Sequence, residues 1–178
     1  MTTTSPPLAG PVATAAAALA AQQRRVSDLL ARAAGLPVRP LAPEARRRLV
    51  DLGHFPAYTG ELDWTPDEVA GHLRDSARVF TDRIERIGRG TRPALPDFVP
   101  DAPERVAGYR ATPPAVLVAE LAGAQEGLLR AVAAVRPGQL ALEGVHEVDG
   151  PVRLADLLTF LPAHQRDHAE QLAALVGG

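Results

Sequence analysis

Apolar residues recur at intervals of three and four along four long segments of this chain. The segments run from about residues 12 to 34, 66 to 87, 113 to 136 and 154 to 176. This spacing places the apolar side chains on one face of an α-helix. No window alternates cleanly between apolar and polar residues, so the pattern does not predict a sheet. Four amphipathic helices of similar length favour an all-α fold, an antiparallel four-helix bundle with long connections.

Capping signals support these helix ends. The stretch Thr65-Pro66-Asp67-Glu68 combines an N-cap hydroxyl, a proline at the first helical position and a glutamate three residues after the cap. Gly35, Gly88 and Pro137 follow the first three segments, where glycine and proline commonly end helices. The first connection is long, and residues 43–52 within it predict an extra short helix.

The same pattern indicates one domain. Residues 1–11 are predicted to be a disordered tail, so residues 12–178 form a single four-helix-bundle domain. Residues 89–111 are rich in proline and glycine and are expected to cover one end of the bundle. Residues 146–150 predict a short extended turn before the last helix.

Composition narrows the possible functions. The chain contains no cysteine, which excludes disulfides and thiolate metal sites and favours a cytoplasmic protein. Any thiol chemistry must therefore use a thiol that a substrate supplies. A net charge of -2, 4% aromatic residues and no basic stripe beyond Arg46–Arg48 disfavour nucleic-acid binding. No apolar run approaches the roughly 18 residues of a membrane-spanning helix, so no membrane partner is expected.

Two histidines interrupt the apolar stripe of the fourth helix. His164 and His168 are one turn apart on one face, close enough to share an ion. They occupy positions where the leucine repeat calls for another leucine. The outward positions are predicted to be Gln165, Arg166, Asp167 and Glu170. Two buried imidazoles cost free energy unless they share a partner, and a metal ion is such a partner.

A third histidine, His72, lies beside the apolar stripe of the second predicted helix. Helices packed 8–10 Å apart can direct side chains toward one point between them. His72, His164 and His168 together suit Zn²⁺, and also Ni²⁺, Co²⁺ or Fe²⁺. Three protein ligands leave coordination positions open, which is typical of a catalytic metal site, and the sequence offers no obvious fourth ligand.

Among the other polar residues, Asp75 and His146 have two interpretations each. Asp75 either accepts a hydrogen bond from an imidazole or is a solvated carboxylate on the helix face. His54 is predicted to be a simple loop residue after Gly53, whereas His146 is either a loop residue or part of the mouth of the site. Trp64 is expected to be a packing anchor.

Two regions of the sequence match a known family. They are Trp64–Asp75, which contains His72, and residues 145–172, which contain Val145-His146-Glu147-Val148-Asp149-Gly150 and His164-Gln165-Arg166-Asp167-His168. Through them the chain resembles the DinB-like superfamily of bacterial metal-binding four-helix bundles over about residues 60 to 178. The resemblance implies a metal triad of His72, His164 and His168. The chain departs from the usual pattern at Arg153, where a capping Thr or Ser is common, and at Pro162.

The resemblance also implies a range of functions. Family members with assigned activities include mycothiol- and bacillithiol-dependent S-transferases and a maleylpyruvate isomerase. One divalent metal ion, Zn or Ni before others, is the expected cofactor, and it would activate a small-molecule thiol that attacks an electrophilic substrate. A homodimer is also expected. The alternatives are a hydrolase that uses metal-bound water and a non-catalytic metal-binding bundle.

Overall fold

The computed structural model describes residues 10–177, and its helices confirm the all-α four-helix bundle. The four long helices are α1 (Pro11–Ala33), α3 (Pro66–Gly88), α5 (Pro114–Ala133) and α6 (Leu154–Val176). Two shorter helices are α2 (Pro43–Leu49) and α4 (Pro103–Ala111). Around the bundle, α3 packs on α5 and α6, and α1 packs on α6 and α5. Most of the predicted tail, residues 1–9, lies outside the described residues.

The start of α3 has the predicted capping geometry. The Thr65 hydroxyl accepts a hydrogen bond from the Glu68 N–H at 3.3 Å, and the Glu68 carboxylate accepts one from the Thr65 N–H at 2.7 Å. These reciprocal bonds satisfy two of the N–H groups that every helix N-terminus leaves without an intrahelical partner. The cap therefore sets where α3 begins and, with it, the phase of the face that carries His72.

A small sheet, which the hydrophobic pattern did not predict, covers one end of the bundle. Its strands are β1 (Ala94–Leu95), β2 (Glu143–His146) and β3 (Gly150–Arg153). The strand β2 pairs in parallel with β1 and antiparallel with β3. Strands of two to four residues are too short to show an alternating pattern, so only their pairing reveals them. Of residues 89–111, which were expected to cover one end of the bundle, β1 belongs to this sheet, whereas α4 packs against α3, where Tyr109 donates a hydrogen bond to Asp75.

The sheet packs closely against α3. A Cβ atom at Gly144 would lie 2.8 Å from Leu95 Cδ1 and 3.1 Å from Ile87 Cγ1, so only glycine fits there. Between β2 and β3, Gly150 has a φ of +74°, a conformation that glycine adopts without strain. The close approach brings the end of β2 toward the core face of α3.

The core has three clusters of buried apolar side chains. One joins α1, α3, α5 and α6 beneath the sheet, and a second joins the same helices near Trp64. The third lies around α2 and the connection that follows it, and consists of Leu41, Leu49, Phe55 and Leu62. A cavity borders the first cluster. Within residues 10–177, no helix combines the length and apolar character needed to cross a membrane.

Candidate metal centre

Three buried histidines meet between α3 and α6. His72 on α3 is 1% exposed, and on α6 His164 and His168 are 4% and 0% exposed. The Nε2 atoms of His72 and His164 are 3.1 Å apart. The rings of His164 and His168 have centroids 4.8 Å apart, as expected for residues one turn apart on one helix face. The structure thus brings together the three histidines that the sequence analysis selected.

A fourth histidine joins this group. His54 lies in the turns that follow α2, and its ring centroid is 4.9 Å from that of His164 and 5.1 Å from that of His168. Potential ligand atoms of His54, His72, His164 and His168 all lie within 4.8 Å of one another. The expectation that His54 is a simple loop residue apart from the helical group was therefore wrong, because its loop folds against α6.

Asp167 attaches the loop of His54 to α6. Its Oδ2 accepts a hydrogen bond from the His54 backbone N–H at 3.1 Å. A Cβ atom at Gly53 would lie 3.1 Å from the same oxygen, so glycine permits this close contact. Asp167 is 2% exposed, although the helical pattern placed it on the outward face. Gln165, also predicted to face outward, is 2% exposed and accepts from Gln125 Nε2 at 3.3 Å.

Glu61 adds a carboxylate beside the histidines. It lies in a 3₁₀ turn (Thr59–Asp63), is 0% exposed, and its Oε2 is 2.5 Å from His54 Nε2 and 3.6 Å from His168 Nε2. Burial raises the pKa of Glu61, although the hydrogen bond and charge of His54 act in the opposite direction. The sequence offered no carboxylate on the histidine face, because Glu61 comes from a connection without helical periodicity.

A glutamine bridge orients His168. Gln171 Nε2 donates a hydrogen bond to the Glu61 backbone carbonyl at 2.5 Å, so its Oε1 is left to accept from His168 Nδ1 at 2.9 Å. The proton on His168 therefore sits on Nδ1. The lone pair of Nε2 points toward the other histidines, which is the arrangement that a metal-ligating imidazole requires.

The protonation and bonding of this cluster fit a bound cation. Burial and the neighbouring histidines lower the pKa values of His72 and His164 well below 6.5, and burial lowers that of His168 to about 3. The imidazoles are therefore neutral and can donate lone pairs. Among residues 10–177, three buried atoms of the cluster find no hydrogen-bond partner: His72 Nδ1, His168 Nε2 and Glu61 Oε1. Unpartnered buried polar atoms are costly, and an ion bound by His168 Nε2 would offset the cost for that atom.

A cavity of about 290 Å³ opens beside the cluster. His54, His72 and His164 lie at its wall together with apolar side chains of the sheet, α3 and α6. The apolar lining residues are Phe80, Leu95, Phe98, Val152, Leu157 and Phe160. A cavity with imidazole groups at its wall and a largely apolar lining can hold a small organic substrate and exclude much of the water around it.

His146 and Arg83 line the same cavity. His146, on β2, is 7% exposed and its Nε2 is 3.1 Å from Arg83 Nη2. Of its two interpretations, the structure supports the one in which His146 lines the site. Sequence reasoning did not select Arg83, since an arginine on an amphipathic helix is usually a solvated residue.

Asp75 does not contact an imidazole. Its carboxylate accepts hydrogen bonds from Tyr109 Oη at 3.0 Å, from Arg105 at 3.0 Å and from Arg74 at 2.9 Å. Asp75 therefore fastens α4 to α3, and neither of its two interpretations holds. Trp64 is the expected packing anchor, 6% exposed with its ring 5.1 Å from that of His72.

The two departures on α6 leave the helix intact. Arg153 cannot accept a capping bond, but Asp156 Oδ2 accepts one from the Arg153 backbone N–H at 3.1 Å. Helix α6 continues through Pro162, which lies inside it. Both histidines therefore lie on one face of a single continuous helix.

Comparison with known families agrees with this geometry. A family model described as the DinB superfamily matches residues 54–172, which include all four histidines of the cluster and more than half of the chain. No curated protein and no solved structure matches the chain.

Proposed function

We propose that this chain, which belongs to the DinB superfamily, is a divalent-metal-dependent enzyme that transfers a low-molecular-weight thiol such as mycothiol or bacillithiol to an electrophile. The observation that supports this proposal is a group of four imidazoles, of which the buried and neutral His72 and His164 lie at the wall of a largely apolar cavity. A closed structural site would instead be surrounded by protein on every side. With no cysteine in the chain, the sulfur must come from the cosubstrate.

Each nearby residue has a distinct part in the proposed reaction. His72, His164 and His168 would hold the ion, with His54 as a further ligand or neighbour. A bound Zn²⁺ or Ni²⁺ would supply Lewis acidity that lowers the pKa of a thiol beside it. His54 lines the cavity and Glu61 supports its Nε2, so this pair is placed to take the proton that the thiol releases. Phe98 and Phe160 would exclude water from the reacting sulfur.

Metal-assisted hydrolysis is a second candidate, and Glu61 favours it. A hydrolase usually needs a carboxylate base near the ion, and Glu61 Oε2 lies 3.6 Å from His168 Nε2. Glu61 is not part of the cavity wall, whereas His54 is. The position of His54 therefore favours thiol transfer over hydrolysis. A non-catalytic metal-binding bundle is the remaining alternative if no substrate turns over.

Turnover should depend on an added thiol. Purified metal-loaded protein should consume an electrophile such as monobromobimane faster than the uncatalysed reaction only when a cellular thiol is present. His164→Ala should abolish this rate along with metal binding, because it removes a ligand. In Co²⁺-loaded protein, the productive thiol should add a sulfur-to-metal charge-transfer band in the near ultraviolet.

The thiol and hydrolase proposals give opposite results in one control. Hydrolysis of an ester or amide without thiol, lost in Glu61→Gln, together with no charge-transfer band, would contradict the transferase and support the hydrolase. If protein fully loaded with metal turns over no substrate in either assay, the result supports a non-catalytic metal-binding bundle.

We also propose a homodimer. Leu36, Val38 and Val118 are 50%, 64% and 38% exposed and line an apolar groove between the ends of α1 and α6 and the start of α5. Light scattering should give twice the 18.8 kDa chain mass, and Val38→Glu should shift it toward monomer whereas Val148→Glu should not. A wild-type mass of 18.8 kDa at micromolar concentration would rule the dimer out.

A further inference from the structure

Arg83 shares a cavity and a helix face with the metal centre. It follows His72 on α3 by eleven residues, close to three full turns, which corresponds to about 16 Å along the helix. Both side chains line the cavity of about 290 Å³. The cavity therefore has the imidazole group in one part and a guanidinium group in another, with apolar side chains between them.

The charge of Arg83 is buried without a direct counter-ion. Arg83 is 8% exposed, and no carboxylate oxygen of residues 10–177 lies within 4.0 Å of its guanidinium group. Its contacts are the Pro96 carbonyl at 2.6 Å, His146 Nε2 at 3.1 Å and the face of Phe80, 5.1 Å from the ring centroid. A buried charge without a partner is costly, and a bound anion would remove that cost.

Another arginine on the same helix shows the usual arrangement. Arg74 is also largely buried, but its guanidinium group pairs with Asp75 at 2.9 Å and with Glu120 at 2.7 Å. Its charge is thus neutralised within the protein. Arg83 differs in that its neighbours are a carbonyl, a ring and an imidazole, all of which leave the positive charge available to a ligand.

Three carboxylates limit the charge of that ligand. Asp97, Asp149 and Asp156 line the same cavity, with side chains 40%, 72% and 53% exposed, and none of them pairs directly with Arg83. Water screens them more than the buried guanidinium group, but they repel any second negative charge. The cavity therefore favours one negative charge over two.

We infer that Arg83 binds the carboxylate of a monoanionic substrate whose reactive atom lies at the histidine cluster. This inference names the substrate class for the proposed function and rests on that function for the reaction. The carboxylate belongs to the electrophile or to a thiol that carries a single carboxylate. A planar guanidinium group suits a carboxylate, since it can donate two parallel hydrogen bonds.

The test compares three probes of one chain length on Zn²⁺-loaded protein: hexanoate, hexanamide and hexyl phosphate. Calorimetry should show hexanoate binding about tenfold or more tightly than hexanamide, because a guanidinium group binds a carboxylate as an ion pair but a neutral amide only through a hydrogen bond. Hexyl phosphate, which carries close to two negative charges, should bind more weakly than hexanoate. Arg83→Met should remove the preference for hexanoate, and Arg83→Lys should retain part of it.

Arg86 provides the matched control. Its Nη2 donates to the Ala94 carbonyl at 2.7 Å, so it fastens residues 94–96 to α3 as Arg83 does through Pro96, but outside the cavity. Arg86→Met should therefore keep the preference for hexanoate. Equal binding of hexanoate and hexanamide by the wild type, or an unchanged preference in Arg83→Met, would overturn the inference. If Arg83→Met does not fold, the wild-type probes and Arg83→Lys decide the question.

These binding experiments contain no thiol, so they separate the two proposals. If the protein shows no transfer activity but keeps a preference for hexanoate that depends on Arg83, only the proposed reaction is contradicted. Where transfer is measurable, hexanoate should compete with whichever substrate carries the carboxylate. If hexanoate competes with the thiol, the thiol carries the carboxylate. If hexanoate competes with the electrophile, the electrophile carries it.

Discussion

Replacement of His72, His164 and His168 together by alanine should reduce metal content from about one divalent ion per chain to none. The three imidazoles are buried and neutral, and potential ligand atoms of the group lie within 4.8 Å of one another. Neutral lone pairs converging at one buried point are what a divalent ion such as Zn²⁺ or Ni²⁺ requires. The measurement is elemental analysis of protein purified without an affinity tag.

Two single variants refine this result. His54→Ala should keep the ion but weaken its binding by roughly 10- to 100-fold, as expected for a supporting residue of a metal site. His146→Ala is the matched control, since His146 is also buried and lines the same cavity but does not belong to the ligand group. It should retain the full amount of metal.

Circular dichroism must accompany these measurements, so that loss of metal is not confused with loss of fold. A folded triple variant that retains one ion per chain would show that the ion binds elsewhere. Equal metal loss in His146→Ala and the triple variant would show that the cavity as a whole, and not the ligand group, determines binding.

Protein stripped of metal with a chelator should lose stability steeply as the pH falls below about 6.5. Burial and mutual repulsion lower the pKa values of His72 and His164 well below 6.5, and burial lowers that of His168 to about 3. In the unfolded chain the same imidazoles titrate near 6.5. Between these limits the unfolded chain binds more protons than the folded chain, so acid favours unfolding.

The expected slope is large. Each of the three groups contributes about 1.4 kcal/mol per pH unit once its unfolded form is protonated, or about 4 kcal/mol per unit together. Because a domain of this size has a total stability of roughly 5–15 kcal/mol, unfolding should follow within a few pH units. Burial also raises the pKa of Glu61, so this carboxyl makes the folded chain bind a proton more readily and opposes the loss of stability in acid. Glu61 is one group, however, and the histidines are three.

Urea denaturation at a series of pH values measures this slope. His168→Gln should reduce it by about a third, because glutamine does not titrate and one of three groups is then missing. A stability that stays constant from about pH 7 to 4.5, or an unchanged slope in His168→Gln, would contradict the neutral-histidine interpretation.

The helices and the core histidines could be predicted because their signals are local. A repeat of three and four residues sets the buried face of a helix, and an imidazole that occupies a position in that repeat must be buried with it. His164 and His168 satisfy this condition, and His72 lies beside the apolar stripe of its own helix. The capping box at Thr65 and Glu68 is also local, so the start of α3 followed from the residues alone.

The remaining parts of the site depend on how the chain folds back on itself. His54 and Glu61 lie in a connection without periodicity, and they reach the cluster only because Asp167 and Gln171 on α6 bind their backbone. The same packing buries Asp167, which the helical pattern had placed outside. No spacing within the sequence could report these contacts, since they join residues more than a hundred positions apart.

Arg83 illustrates the same division. Its position on α3 follows from the sequence, but its burial results from strands too short to have a pattern of their own. The periodicity of the chain determined a four-helix bundle with three inward histidines. Only the tertiary structure decided that a loop histidine, a buried glutamate and a cavity with a lone guanidinium group complete the site, because long-range packing and not local spacing placed each of them there.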